Sequence, residues 1–240
     1  MTVTARPQAR PLVSVVRMLG PSHHVGLMIA LTFVTGIVDA GGYLGLDKVF
    51  VGNMTGNVVI LGMGAAGSDG LPVLGPALAL VAFISGAGAA GVTLRSARSG
   101  WGGRVTAVAV ASTILVAVTA VTTGVLPDTS ASQVSAAVMT ACAMGAQAAA
   151  ARKVGVADVT TVVVTSTITV WAIDAFARPG FATILNRRVI AIIAILLGAL
   201  TGALLLQVAL WMVFAAAAGI SAVVVAIGHL GSQHEMGVSD

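Results

Sequence analysis

Charge is what this sequence has least of. Only 8% of its 240 residues are Asp, Glu, Lys or Arg, against about 25% in an ordinary soluble domain. Aromatic residues make up just 4%. The single cysteine, Cys142, excludes a disulfide framework within one chain and any cysteine-based metal motif. His23, His24, His229 and His234 stand near the chain ends, and no metal-ligand spacing is present. No Ser-His or paired-Asp arrangement marks a catalytic centre. The glycines from Gly86 to Gly91 follow an apolar helical run, not a strand, so they are no nucleotide loop. The expectation is therefore no enzyme, no metal and no cofactor. Nor is nucleic acid an expected partner. The net charge is +4, but the basic residues fall in short clusters between apolar runs, not on one face.

What is abundant is apolar and small. Hydrophobic residues make up 58% and mean hydropathy is +1.03, so the chain is read as an integral membrane protein with the lipid bilayer as its first partner. Small residues let membrane helices approach closely. Ser85 to Gly91 and Gly198 to Gly202 are such packing faces. They serve helix pairing within the chain or, alternatively, a homo-oligomer. Residues 1–20 are polar and carry Arg6, Arg10 and Arg17. The apolar run from Val25 is too long for a signal-peptide core and holds Asp39, so it reads as a retained first transmembrane helix.

Eight apolar segments can be drawn, over about 25–46, 49–67, 71–94, 105–126, 133–151, 157–176, 189–208 and 210–229. Length alone allows eight crossings, since a span needs roughly 20 residues. The basic residues decide otherwise. With a cytoplasmic N-terminus, eight crossings would put Lys48, Arg95, Arg98, Arg104, Arg152 and Lys153 outside. Arg6, Arg10, Arg17, Arg178, Arg187 and Arg188 would lie inside, which is no bias. If the second and sixth segments dip in and return, only Lys48 stays outside. The expected fold is all-α, with six transmembrane helices plus two re-entrant, broken half-helix segments. Gly52, Asn53, Gly56 and Asn57 open the second segment, and a β-branched run from Val159 opens the sixth; both are poor helix starts. Each segment should enter extended and leave as a short half-helix. Residues 1–22 and 230–240 are read as cytoplasmic tails around one transmembrane domain, 23–229, in a bacterial cytoplasmic (inner) membrane.

The halves echo each other. Setting Thr55 on Thr165 puts Gly45 on Gly155 and, with a one-residue shift, Gly36 on Gly145. Repeat one covers about 25–126 and repeat two about 133–229. Three crossings per half make the second inverted, a 3+3 arrangement common in transporters. The stretches G-x-x-D-A-x-x-Y from Gly36 and V-F-V-x-N-M-T-G-N from Val49 resemble the YoaK-like family of bacterial membrane proteins, a domain of unknown function. D-V-T-T-V-V-V-T-S-T from Asp158 resembles that family's second motif. The resemblance implies a multi-pass membrane fold and no established reaction. Two positions depart from the family pattern: Ser166 stands where Gly is typical, and Ala148 where a polar residue is usual.

The candidate site residues are polar groups at membrane depth, which cost free energy unless used or satisfied. Asp39 either binds a cation or proton, or hydrogen-bonds the re-entrant backbone. Tyr43 belongs to the same motif. Asn53, Thr55 and Asn57 on one side, and Thr161, Thr165 and Thr167 on the other, either face a ligand or cap the broken helices. Gln147 is a further cavity candidate. Asp47 and Lys48 are expected as an exposed pair, and Asp174 as a partner of Arg178. The leading function is a small-solute transporter, cation- or proton-coupled, whose partner is an unidentified small solute or ion. The alternative is a non-transporting scaffold or accessory subunit.

Overall fold

The computed structural model describes residues 23–68, 70–155, 164–177 and 187–237. Among them are eight helices and no strand: α1 His23–Gly45, α2 Met54–Ala65, α3 Leu74–Leu94, α4 Gly103–Val125, α5 Ser130–Val154, α6 Val164–Ala177, α7 Arg187–Leu206 and α8 Leu210–Gly237. Six of these, all but α2 and α6, are long and apolar enough to cross a membrane. With 12 and 14 residues, α2 and α6 reach only about 18–21 Å at ~1.5 Å per residue, short of the ~30 Å hydrocarbon layer. The all-α fold with six long spans is thus as expected. One boundary differs: α8 runs on to Gly237, into the stretch read as a tail.

Local chemistry sets the helix ends. Thr129 and Ser132 form a reciprocal capping box at the start of α5. Gly155, at φ 74°, closes its far end in the left-handed conformation. At the end of α1 that conformation falls on non-glycine residues, Asp47 at φ 54° and Lys48 at φ 58°. There the Lys48 N–H donates to Tyr43 O at 3.1 Å.

The most extensive helix pairs are α3 with α5 and α1 with α7, followed by α4 with α8, α4 with α5, and α1 with α8. Glycines make the first two pairs possible. A Cβ on Gly36 would overlap Ile195 O and lie 2.8 Å from Ala199 N, while one on Gly198 would overlap Phe33 O. In the other pair, a Cβ on Gly145 would overlap Phe83 O and lie 3.0 Å from Ala87 N, while one on Gly86 would overlap Cys142 O. So Gly36 and Gly145 play matching parts, as do Gly198 and Gly86. The small-residue runs around Gly86 and Gly198 are therefore used within the chain, as membrane helix packing favours.

Basic residues gather at one end of the bundle. There Leu27, Met28, Leu94, Trp101, Val105, Val154 and Ala191 share an apolar cluster. Gly100 N–H donates to Lys153 O at 3.2 Å, which ties the 95–104 loop to the end of α5. Arg95, Arg98, Arg104, Arg152, Lys153, Arg187 and Arg188 all flank this cluster in sequence. Lys48 lies beyond the opposite end of α1.

Candidate functional site

The first polar motif folds into one clamp. After α1 the chain turns back along it, and Asp39, in α1, receives the returning backbone. Its Oδ1 accepts from Val51 N at 3.0 Å, Gly52 N at 2.7 Å and Asn53 N at 3.3 Å. Non-helical backbone inside a membrane must find such partners within the protein. Asn57, wholly buried, grips the peptide groups of Phe50 from the α2 side. Its Nδ2 donates to Phe50 O at 2.6 Å, and its Oδ1 accepts from Phe50 N at 2.9 Å. Glycine makes the room: a Cβ on Gly42 would meet Val49 O at 2.5 Å, and one on Gly56 the Phe50 ring at 2.5 Å. Tyr43 stacks on Phe50, with centroids 4.8 Å apart. Asn53 caps α2 by accepting from Gly56 N at 3.3 Å. Thr55, in the first turn of α2, is exposed. Both ends of this excursion lie together, since Lys48 Nζ donates to Gly70 O at 2.7 Å.

Gln147 belongs to a different place. It is 5% exposed, and its Nε2 has no hydrogen-bond partner among the described residues. It lines a cavity between α1, α4, α5 and α8 together with Ser112, Thr113, Trp101 and Ser221. Ser221, 3% exposed, likewise has an unpartnered Oγ. Ser112 Oγ donates to Ala143 O at 2.8 Å, and Thr113 Oγ1 to Ala109 O at 2.8 Å. On α1 the cavity reaches Met28 and Leu31, two turns before Asp39 and so roughly 12 Å along the helix. Asp39 and Thr55 do not line it.

The candidate residues therefore separate into three groups. Asp39, Tyr43, Asn53, Thr55 and Asn57 are assembled around the start of α2. Gln147 faces the cavity. Thr165 and Thr167 lie on α6, which packs chiefly on α7 and buries no residue. Thr161 lies outside the described residues, as do Asp158 and Arg178. Asp174 pairs with Arg188 of α7, Oδ2 to Nη1 at 2.5 Å, so the ion pair joins two helices. Lys48 is engaged by a carbonyl and not by Asp47. Sequence reading missed Ser112 and Ser221. A hydroxyl in an Ala- and Val-rich helix carries no signal by itself; only the rotation of α4 and α8 toward Gln147 shows it.

The family described as "Protein of unknown function (DUF1275)" matches residues 27–227. A curated relative, the "UPF0700 transmembrane protein YoaK" of Bacillus subtilis (strain 168), is 45% identical over 60 residues. That match spans 25% of this chain and 27% of the relative's length. No solved structure matches the chain.

Proposed function

The chain belongs to this DUF1275 family, and from that premise we propose that it is an inner-membrane transporter of a small solute, built as an inverted 3+3 repeat. The observation that carries the proposal is the packing pattern. Exchanging α1–α4 for α5–α8 in order turns the α1–α7 pair into α5–α3, and α4–α5 into α8–α1. The glycine contacts follow the same exchange, residue for residue. Repeats of this kind, each with a broken segment, recur in transporters, whose solute sites lie between the halves. The Lys48–Gly70 contact supports a re-entrant reading of the first short segment. The basic residues at the other end support a cytoplasmic placement of that end.

Asp39 enters this proposal as the coupling carboxylate, because Oδ1 takes all three backbone bonds and leaves Oδ2 for an ion or proton. A scaffold or accessory-subunit reading draws on the same clamp, which uses Asp39 and Asn57 to hold the fold. Proteoliposome uptake of small metabolites, with and without a proton or sodium gradient, tests between them. Gradient-dependent accumulation is expected; its absence for every solute and ion tried would leave the scaffold reading. For orientation, the background is Cys142→Ala. Cysteines at Ser68 and Ser130 should react with an impermeant thiol reagent outside intact cells, and a cysteine at Ser99 should not. Labelling at Ser99 would reverse the assignment.

A further inference from the structure

We infer that the cavity between α1, α4, α5 and α8 is a binding site for a small uncharged solute that both donates and accepts hydrogen bonds. Two residues of its lining carry a buried polar atom with no partner among the described residues: Gln147 Nε2 and Ser221 Oγ. Leaving such groups buried and unpaired is costly, and a membrane helix could carry Leu and Ala there instead. Their meeting in the lining of one cavity, from α5 and α8, points to something they bind.

The donor set defines the solute. Gln147 Nε2 needs an acceptor, while the Ser221 hydroxyl can donate or accept. Ser112 and Thr113 have already donated their hydrogens to Ala143 O and Ala109 O, so only their lone pairs remain. The described lining holds no charged residue and is otherwise apolar: Met28, Leu31, Val105 and Val224 among others. A bare ion would lose its hydration there with no countercharge. An amide, a hydroxyl compound or a molecule of their kind would not.

The cavity is small. It admits the centre of a water-sized sphere over about 10 Å³, room for one water, so a larger solute enters only when the helices part. The indole of Trp101 lines it from the 95–104 loop and lies where a Cβ on Gly228 would overlap the ring. The site deepens the transport proposal and rests on it for its use, but binding can be measured without transport.

Trp101 supplies the reporter. With Trp171→Phe and Trp211→Phe it is the sole tryptophan, since the chain has three. Its emission in purified protein is titrated with acetamide, urea and glycerol, and with sodium and rubidium chloride. A saturable change with at least one uncharged probe is expected, and none with the salts. Gln147→Leu should weaken that response at least tenfold and Ser221→Ala about threefold, with melting temperatures equal to or above that of the unsubstituted chain. A response to salts alone, or an equal response in both variants, overturns the proposal. No response to any uncharged probe means a resident water only, and overturns it too. So does a marked drop in melting temperature in both variants, which would make the two groups structural. Acetamide flux into proteoliposomes separates the readings: saturable binding without flux keeps the site and removes transport.

Discussion

The two short helices, α2 and α6, are each second of four in their half of the chain but differ in the contacts described for them. α2 buries Asn57 and Ile60, and its approach is fixed by the three bonds to Asp39. α6 buries nothing. With Gly36 matched to Gly145, Asp39 falls on Ala148; with Thr55 matched to Thr165, Asn57 falls on Thr167. The glycine contacts of the long helices match between the halves, while in sequence the second half carries neither the carboxylate nor the amide that fasten α2.

The widest test of this comparison concerns what the halves share. Gly36→Ala and Gly145→Ala each drive a methyl into backbone of the neighbouring helix, which cannot yield as a side chain can. Each should cost about 3 kcal/mol or more, and the two losses should agree. Unfolding of the purified protein in detergent measures both; a large loss at only one position would break the equivalence of the crossings.

Next comes what they do not share. Asn57→Ala removes both bonds to Phe50 and should cost roughly 2–4 kcal/mol in the same assay. Thr167→Ala removes one hydroxyl where Asn57→Ala removes a carboxamide with two backbone bonds, and should cost less, about 1 kcal/mol. Comparable losses would mean that α6 is fastened as firmly as α2.

Asp39→Asn is expected to be milder. The amide oxygen still accepts from the backbone, so a loss of about 1–2 kcal/mol and a folded protein should result. In proteoliposomes this variant should lose gradient-driven accumulation, while Asp39→Glu keeps part of it. Full coupling in Asp39→Asn would confine Asp39 to its clamp.

The smallest effect compares two helix ends. α5 closes on Gly155, whereas α1 closes on Asp47 and Lys48 in the same left-handed region. Asp47→Gly relieves one of these and should raise stability by about 0.5–1 kcal/mol. Unchanged or lower stability would show that Asp47 makes up for its backbone conformation.

Much of the frame was legible because bilayer constraints are coarse. Segment length and scarcity of charge mark the spans, and Gly52, Asn53, Gly56 and Asn57 announce that 49–67 is no plain helix. Asp39 and Asn57 stood out as polar residues in apolar surroundings, but sequence could not say what they held. Asp39 reaches amides 12 to 14 residues ahead, and only the path of the returning chain decides which N–H groups face it. Ion pairing shows the same limit: the described partner of Asp174 is Arg188, on the next helix, while Arg178, which the i+4 rule offered, lies outside the described residues. The cavity was hidden because its polar lining comes from separate helices with ordinary sequences.

The clamp also imposes an order on biogenesis. Val49 to Asn53 is non-helical backbone, and its amides at Phe50, Val51, Gly52 and Asn53 find their described partners on α1 and α2. Left in lipid alone they would be too costly to hold, and α2 is too short to cross the bilayer unaided. In the proposed re-entrant arrangement the excursion docks against an α1 already in place, and the Lys48 contact to the carbonyl of Gly70 joins its two ends. A nascent chain halted before Asn57 should carry α1 across the membrane yet leave the Phe50 amide open to hydrogen exchange, with protection arriving once α2 has followed.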